Sequence, residues 1–367
     1  MILLLHNRYR VPGGEERAVE DLAWLIRSEL REEAEVLERD STALSGRDAA
    51  RGLLLGGLGA SEVADAVDRT GARVVHAHNV QPSLGWRALA AARTAGARVV
   101  LHLHNYRLVC AVGTCFTHGA DCTRCHGRNT LPGLRLNCRG GSRAEAAAYA
   151  GGLALWQERI AAAADAFVVP SAFALERLRA LGAPLGDRAR VIPSVQRTFA
   201  ARSAAGAGGY ALYAGRLSAE KGVADAIAGC RAAGVPLVVA GDGPDAAALR
   251  AAAGPDVRFM GRVGAGELAA LRAGAAVALV PSRYAEILPL AALEAMAAGL
   301  PVVASRAGGL AEVVPAAGLH PPGDVAAMAA RIGALWGDED AGAAALAIAR
   351  ERTAPPVVAA ALRAVYS

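Results

Sequence analysis

The sequence predicts an α/β protein made of two doubly wound parallel-sheet domains. Three observations carry this. Short apolar runs rich in β-branched residues alternate with Ala/Leu/Arg-rich helical stretches along the whole 367-residue chain. Most of the runs are continuously hydrophobic, the mark of parallel strands covered on both faces. They also fall into two sets, separated at 196–209 by a segment without periodicity that ends in small residues. A chain of this length accommodates two domains of ordinary size, each with its own core.

The first set of expected strands is 1–5, 34–37, 74–77, 99–102, 166–169 and 191–192. The second is 210–214, 237–240, 257–259, 277–280 and 302–304. They place one Rossmann-like domain at 1–198, with a Cys-rich loop at 109–142, and another at 199–348. A last helix within 349–367 is expected to return to the first domain. Ligands of such sheets sit beyond the carboxyl ends of the strands, so the expected site is the cleft between the two domains.

Composition narrows the function classes. With 54% hydrophobic and 20% charged residues the chain is an ordinary globular one, not a disordered one. It has no run of about 18 uncharged apolar residues, so no membrane span is expected. Residues 1–5 are too short and lack a charged leader for a signal peptide, and read as a buried strand. The expected compartment is the cytoplasm, where cysteines serve as metal ligands or reduced thiols. The net charge of +5 is uneven: residues 71–160 hold 11 Arg against 3 acids. That excess suits an anionic acceptor, peripheral contact with the inner face of a membrane, nucleic acid, or simply a solvated Arg-rich face.

Four motifs carry chemistry. Pro12-Gly13-Gly14, after the first strand and before a helix expected over 17–29, allows a sharp turn whose N–H groups suit a phosphate. Gly215-Arg216…Lys221-Gly222 follows the strand at 210–214 and holds the sole Lys among 39 cationic residues. A flat guanidinium fork and a compact ammonium, five positions apart, suit two grips on a phosphate. Gly241-Asp242-Gly243-Pro244 reads as a structural strand-to-helix turn. Finally, Glu286 and Glu294 stand eight positions apart, one expected on a loop and one inside the helix that begins near Pro289. Two carboxylates so placed can accept hydrogen bonds from two hydroxyl-bearing parts of one ligand, beside a helix N-terminus suited to a diphosphate.

Residues 281–315 (PSRYAEILPLAALEAMAAGLPVVASRAGGLAEVVP) resemble the signature of glycosyltransferase family 4, the retaining GT-B enzymes. Gly13-Gly14-Glu15, His104-Asn105, the Arg216/Lys221 segment, Gly241–Pro244 and Glu286…Glu294 follow in the family's order, so the resemblance spans essentially the whole chain. It implies a GT-B fold and transfer of a sugar from a nucleoside-diphosphate donor, UDP or GDP, to a glycan, lipid-linked or secondary-metabolite hydroxyl. It implies that Arg216 and Lys221 hold the diphosphate, with Gly13, Gly14 and Gly215 closing near it. Glu294 takes the ribose, Arg262-Val263 meet the base, and Leu288, Pro289 and Leu290 form the donor loop. Glu286 binds sugar hydroxyls, His104 faces sugar and acceptor, and no catalytic metal is needed. Pro289 stands where many members have Gly and cannot donate an N–H. Leu288 and Ile287 are apolar where some relatives are polar.

Cys110, Cys115, Cys122, Cys125 and Cys138 fall within 29 positions. A C-x-x-C with one Cys about a dozen residues away on either side suits a structural zinc on Cys110, Cys122, Cys125 and Cys138. Reduced thiols or a disulfide stay open, Cys115 is surplus, and His118 and His126 are spare ligands. Cys230 reads as core, and His76 and His78, at a strand end, as candidates for the cleft. Two other functions stay open: a GT-B nucleotide-sugar epimerase or hydrolase, and a zinc/arginine nucleic-acid module. The second lacks interleaved aromatics, which make up 4% of the chain.

Overall fold

A computed structural model describes residues 1–9, 13–139 and 141–367. The chain divides into two compact units. One comprises Met1–His118, Cys122–Val195 and Pro355–Ser367, the other Gly119–Asp121 and Gln196–Ala354. The break at Gln196 lies three positions before the expected 199. The C-terminal segment that joins the first unit starts at Pro355, because 349–353 completes the helix Glu339–Thr353 of the second unit.

The first unit holds six parallel strands: β1 (Ile2–Arg8), β2 (Ala34–Asp40), β3 (Val74–Ala77), β4 (Arg98–His102), β5 (Ala166–Val169) and β6 (Ala189–Val191). Their spatial order is 2-1-3-4-5-6. β1 pairs with β2 and β3 in register, Leu5 opposite Leu37 on one side and Ala77 on the other. Ile2 to Leu5 are fully buried, so this strand is central, whereas β2 alternates between half-buried and exposed as an edge strand does. On one face, Val19, Leu22 and Ile26 pack with Val358, Leu362 and Tyr366 of the last helix, Pro355–Tyr366. Each such aliphatic side chain, fully buried, contributes about 1.5–3 kcal/mol.

The second unit repeats the pattern with β7 (Tyr210–Ala214), β8 (Leu237–Ala240), β9 (Val257–Gly261), β10 (Ala275–Val280), β11 (Val302–Ser305) and β12 (Leu319–His320). Their order is 9-8-7-10-11-12, which is 3-2-1-4-5-6 counted within the unit, the doubly wound dinucleotide-binding order. Both faces are covered. Leu212, Val238, Ala278 and Val302 meet Leu293 and Met296 on one side. Ala211, Tyr213, Val239 and Val277 meet Ile227, Cys230, Met328 and Ile332 on the other. Cys230 is thus a core residue, 1% exposed. β12 was not expected: two residues are too short to carry a pattern.

Candidate functional site

Strand order in the second unit reverses between β7 and β10, which pair directly. A doubly wound sheet opens its ligand crevice there. Gly215 leaves the end of β7 and Pro281 the end of β10, so both C-terminal motifs start at this point. Glycines let the loops pack. A Cβ on Gly241 would meet the Gly215 carbonyl oxygen at 1.9 Å, and one on Gly222, at φ +68°, would meet that of Pro281 at 2.0 Å. The turn at 241–244 is the floor of the Arg216 loop: Leu217 N–H donates to Asp242 O at 3.0 Å.

Lys221 then reaches the second loop. Its Nζ donates to Glu286 Oε1 at 3.0 Å and to the Tyr284 hydroxyl at 3.1 Å. Ser282 donates to the same carboxylate oxygen. Glu286 is 6% exposed, so its charge needs this partner. Burial opposes the ammonium, but Glu286 and Tyr284 outweigh it and hold the Lys221 pKa well above its ordinary value. Arg216 is more open, with half its side chain in solvent, and donates to Glu220 Oε1 at 2.9 Å. Glu220 also accepts from the Ser218 hydroxyl at 2.6 Å.

Glu294 lies in the second turn of the helix Leu290–Ala297, with Pro289 just before the first turn. It pairs with Arg272 of the helix Ala265–Ala273, a partner no motif announced. Arg262, just beyond β9, is exposed, while Val263 and Leu288 are half-buried against one core. Leu290 is half-buried and Pro289 buried. Gly308 and Gly309 were also missed. Gly309 N–H donates to the Glu286 carbonyl at 2.7 Å, and a Cβ on Gly308, at φ +57°, would meet that oxygen at 2.4 Å. Gly308→Ala is therefore expected to cost on the order of 1–3 kcal/mol. A urea melt checks this, and an unchanged midpoint would remove Gly308 from its place behind Glu286.

In the first unit Pro12 lies outside the described residues. Gly13 precedes the helix Gly14–Leu25, which continues as a π turn over Ile26–Leu30. The Gly13 N–H, expected to face a phosphate, donates instead to Glu16 Oε2 at 2.7 Å. Glu16 Oε1 accepts from Tyr9 N–H at 3.0 Å. Burial opposes its charge, but His6 and these backbone donors lower the Glu16 pKa to about 2. Asn105 reaches the same corner, donating to the Tyr9 hydroxyl at 3.0 Å.

His104 belongs to a stack of imidazoles. Two H-x-H patterns at the ends of β3 and β4 put four rings on one face, because strand side chains repeat every second residue. His78 Nδ1 meets His104 Nε2 at 2.7 Å, and His76 Nε2 meets His102 Nδ1 at 3.3 Å. His76 Nδ1 meets the hydroxyl of Tyr366 at 2.7 Å. Burial lowers all four pKa values, those of His76 and His104 to about 3. His102 escaped the sequence reading, although its pattern repeats that of His76 and His78. Among the described residues, His76, His78 and His102 bring ligand atoms within 4.8 Å of one another, but two of the three rings share protons with each other and the third with His104. Five cysteines line one small cavity in the following loop.

Residues 10–194 match the family model described as glycosyl transferase 4-like domain, and 208–338 match that of glycosyl transferases group 1. The chain belongs to the glycosyltransferase 4 family. A glycogen synthase of Mycobacterium tuberculosis is 38% identical over 179 residues, 44% of this chain and 42% of that protein. A GDP-mannose-dependent alpha-(1-6)-phosphatidylinositol dimannoside mannosyltransferase of the same species is 43% identical over 112 residues, 29% of each chain. The matches therefore span less than half the length of these curated relatives. The crystal structure of Anabaena Alr3699/HepE in complex with UDP superposes with TM-score 0.63 over 99% of both chains, at 18% identity. The fold of this glycosyltransferase 4 member is thus GT-B. No helix among its described residues is long and apolar enough to cross a membrane.

Proposed function

We propose that this chain transfers a sugar from a nucleoside-diphosphate donor to an acceptor hydroxyl, with retention at the anomeric carbon. The observation that carries the reading is the Lys221–Glu286 pair at the point where β7 and β10 diverge. Departure of the nucleoside diphosphate places negative charge on a phosphate oxygen. Lys221 and Arg216 lie where preorganised cations stabilise that charge. They supply what a divalent ion supplies in other transferases, so the proposal includes no catalytic metal. Arg216 exchanges Glu220 for phosphate, and the solvent at its side chain makes that exchange inexpensive.

Glu286, held by Lys221 and Ser282, orients donor-sugar hydroxyls, and on this view it is a binder and not a covalent nucleophile. Glu294, fixed by Arg272, takes the ribose hydroxyls. Gly215, Leu288, Pro289 and Leu290 line the approach to the helix start, and Arg262-Val263 contact the base. For His104, Gly13 and Gly14 of the first unit the proposal keeps the roles that the family resemblance implies, with the Gly13 N–H leaving Glu16 to meet a phosphate. The relatives act on or bind GDP-mannose and UDP, which supports one of those two bases. The acceptor is a glycan, a lipid-linked sugar or a secondary metabolite. Peripheral membrane contact belongs to the proposal: Leu54, Leu55 and Leu155 are exposed, and the Arg159 guanidinium lies over Trp86 and Trp156.

A thermal-shift panel of UDP, GDP, ADP and their sugars tests this. The matching nucleotide at 100 times its Kd is expected to add about 2.7 kcal/mol of stability. No shift from any of them overturns the reading. Rapid hydrolysis or epimerisation of the donor without acceptor would replace transfer by the epimerase or hydrolase alternative.

A further inference from the structure

The sugar-transfer reading leaves the cysteine-rich loop unused. Between β4 and the long helix Arg143–Ala163 the chain runs through some forty residues with two short two-residue strands and one five-residue helix, Leu131–Arg135. Loops of that length without structure of their own are uncommon in compact domains. Among the described residues, three of the four non-glycine residues with positive φ lie here: Cys115 at 51°, His118 at 50° and Asn137 at 45°. Such conformations persist only where the surroundings enforce them.

Its cysteines share one cavity. Cys110, Cys115, Cys122, Cys125 and Cys138 all line one cavity of about 10 Å³, and all are free thiols. That volume is close to a single water-sized sphere. The rest of the wall is largely apolar, Ala111, Phe116, Pro132 and Leu136 among it. A small space walled by soft donors, with little to hydrogen-bond a water, suits a thiophilic cation.

We propose that Cys110, Cys122, Cys125 and Cys138 bind one structural zinc ion, with the Cys115 thiol donating to the Cys110 sulfur. Cys115 is 2% exposed and lines the same cavity as Cys110, which gives the surplus cysteine a part. Among the described residues no three of the five sulfurs lie within 4.8 Å of one another. Zinc–sulfur bonds of about 2.3 Å therefore draw the loop inward. The loop is tied to the His104 region, since Tyr106 N–H donates to Gly113 O at 2.8 Å and Arg107 N–H to Asn105 Oδ1 at 2.9 Å. Zinc thus fixes the segment that follows His104-Asn105.

The test uses the full chain, purified without a histidine tag, with metal content measured by mass spectrometry and thiols by titration. About one zinc per chain is expected, as for a closed Cys₄ site. Cys122→Ser and Cys125→Ser are expected to drop it about tenfold or more, while Cys230→Ser leaves it unchanged. Because a cysteine variant can misfold, the wild type is also stripped with a mercurial, reduced, and probed by limited proteolysis. Cleavage within 109–142 should appear on stripping and disappear on adding zinc but not magnesium. Protein with no zinc and six titratable thiols, or with a disulfide among these five, overturns the proposal. So does a loop whose cleavage ignores zinc. None of these readouts depends on sugar transfer, so they stand or fall apart from it.

Discussion

Lys221→Ala is expected to lower kcat by roughly 10²-fold or more and to remove most of the stabilisation conferred by the nucleoside diphosphate. The pair it belongs to makes the result readable. Glu286 is buried, and without Lys221 its Oε1 still accepts from the Ser282 hydroxyl. Breaking a buried pair from one side destabilises by about 3–5 kcal/mol because an uncompensated charge remains. Loss of activity could then reflect loss of fold. The double variant Lys221→Ala/Glu286→Gln separates the two, since it removes the stranded charge with the cation. Its melting temperature should recover toward wild type while kcat stays low. Lys221→Arg should not rescue, because a planar fork cannot occupy the point between Glu286 and Tyr284 that an ammonium fills. Activity of Lys221→Ala within about twofold of wild type would take the lysine out of the reaction. Arg216→Ala should cost less stability, since half of that side chain is already in solvent.

Much of this was legible in the residues. Among the described residues, eleven of the twelve strands of the two six-stranded sheets follow from short apolar runs, because a strand covered on both faces cannot hide its composition. Lys221 stood out as the one ammonium in an Arg-rich chain. The partnerships were not legible. Arg272 joins Glu294 from a separate helix, 22 positions away, and nothing in its neighbourhood differs from a solvated Arg. Gly308 and Gly309 lay inside the recognised signature, but their reason is the backbone of 285–287, which only the fold brings beside them. The Gly13 turn misled in the other direction. A Gly-Gly before a helix advertises free N–H groups, yet the acid three positions on captures one of them. Glu16 was visible in sequence, and a capping reading of Gly-x-x-Glu would have found it.

The imidazole stack makes a second large prediction, for pH. His76 is fully buried, and burial drops its pKa from 6.5 to about 3. His104 falls as far, and His78 and His102 also fall well below 6.5, through burial first and then through one another's charge. Between the two pKa values the unfolded chain binds protons that the folded chain refuses. Stability therefore rises with pH across that window, and acidification from 6.5 toward 3 withdraws it. At about 1.4 kcal/mol per unit, His76 alone withdraws on the order of 3 kcal/mol by pH 4.5. Glu16 acts in the same direction over a lower window. Its carboxyl titrates at about 2 in the fold against 4.5, so its stabilisation is lost only as pH drops below 4.5. Urea melts between pH 7.5 and 4.5 should thus show the loss beginning near 6.5, ahead of any carboxylate. His102→Asn, which removes one imidazole, should flatten that slope. For the reaction, His104 stays neutral throughout the ordinary assay range and can accept a hydrogen bond but carries no charge. The pH–rate profile should accordingly show no ionisation near 6.5. One that does, and that His104→Asn abolishes, would mean that ring reaches solvent when the donor binds and that burial does not set its charge.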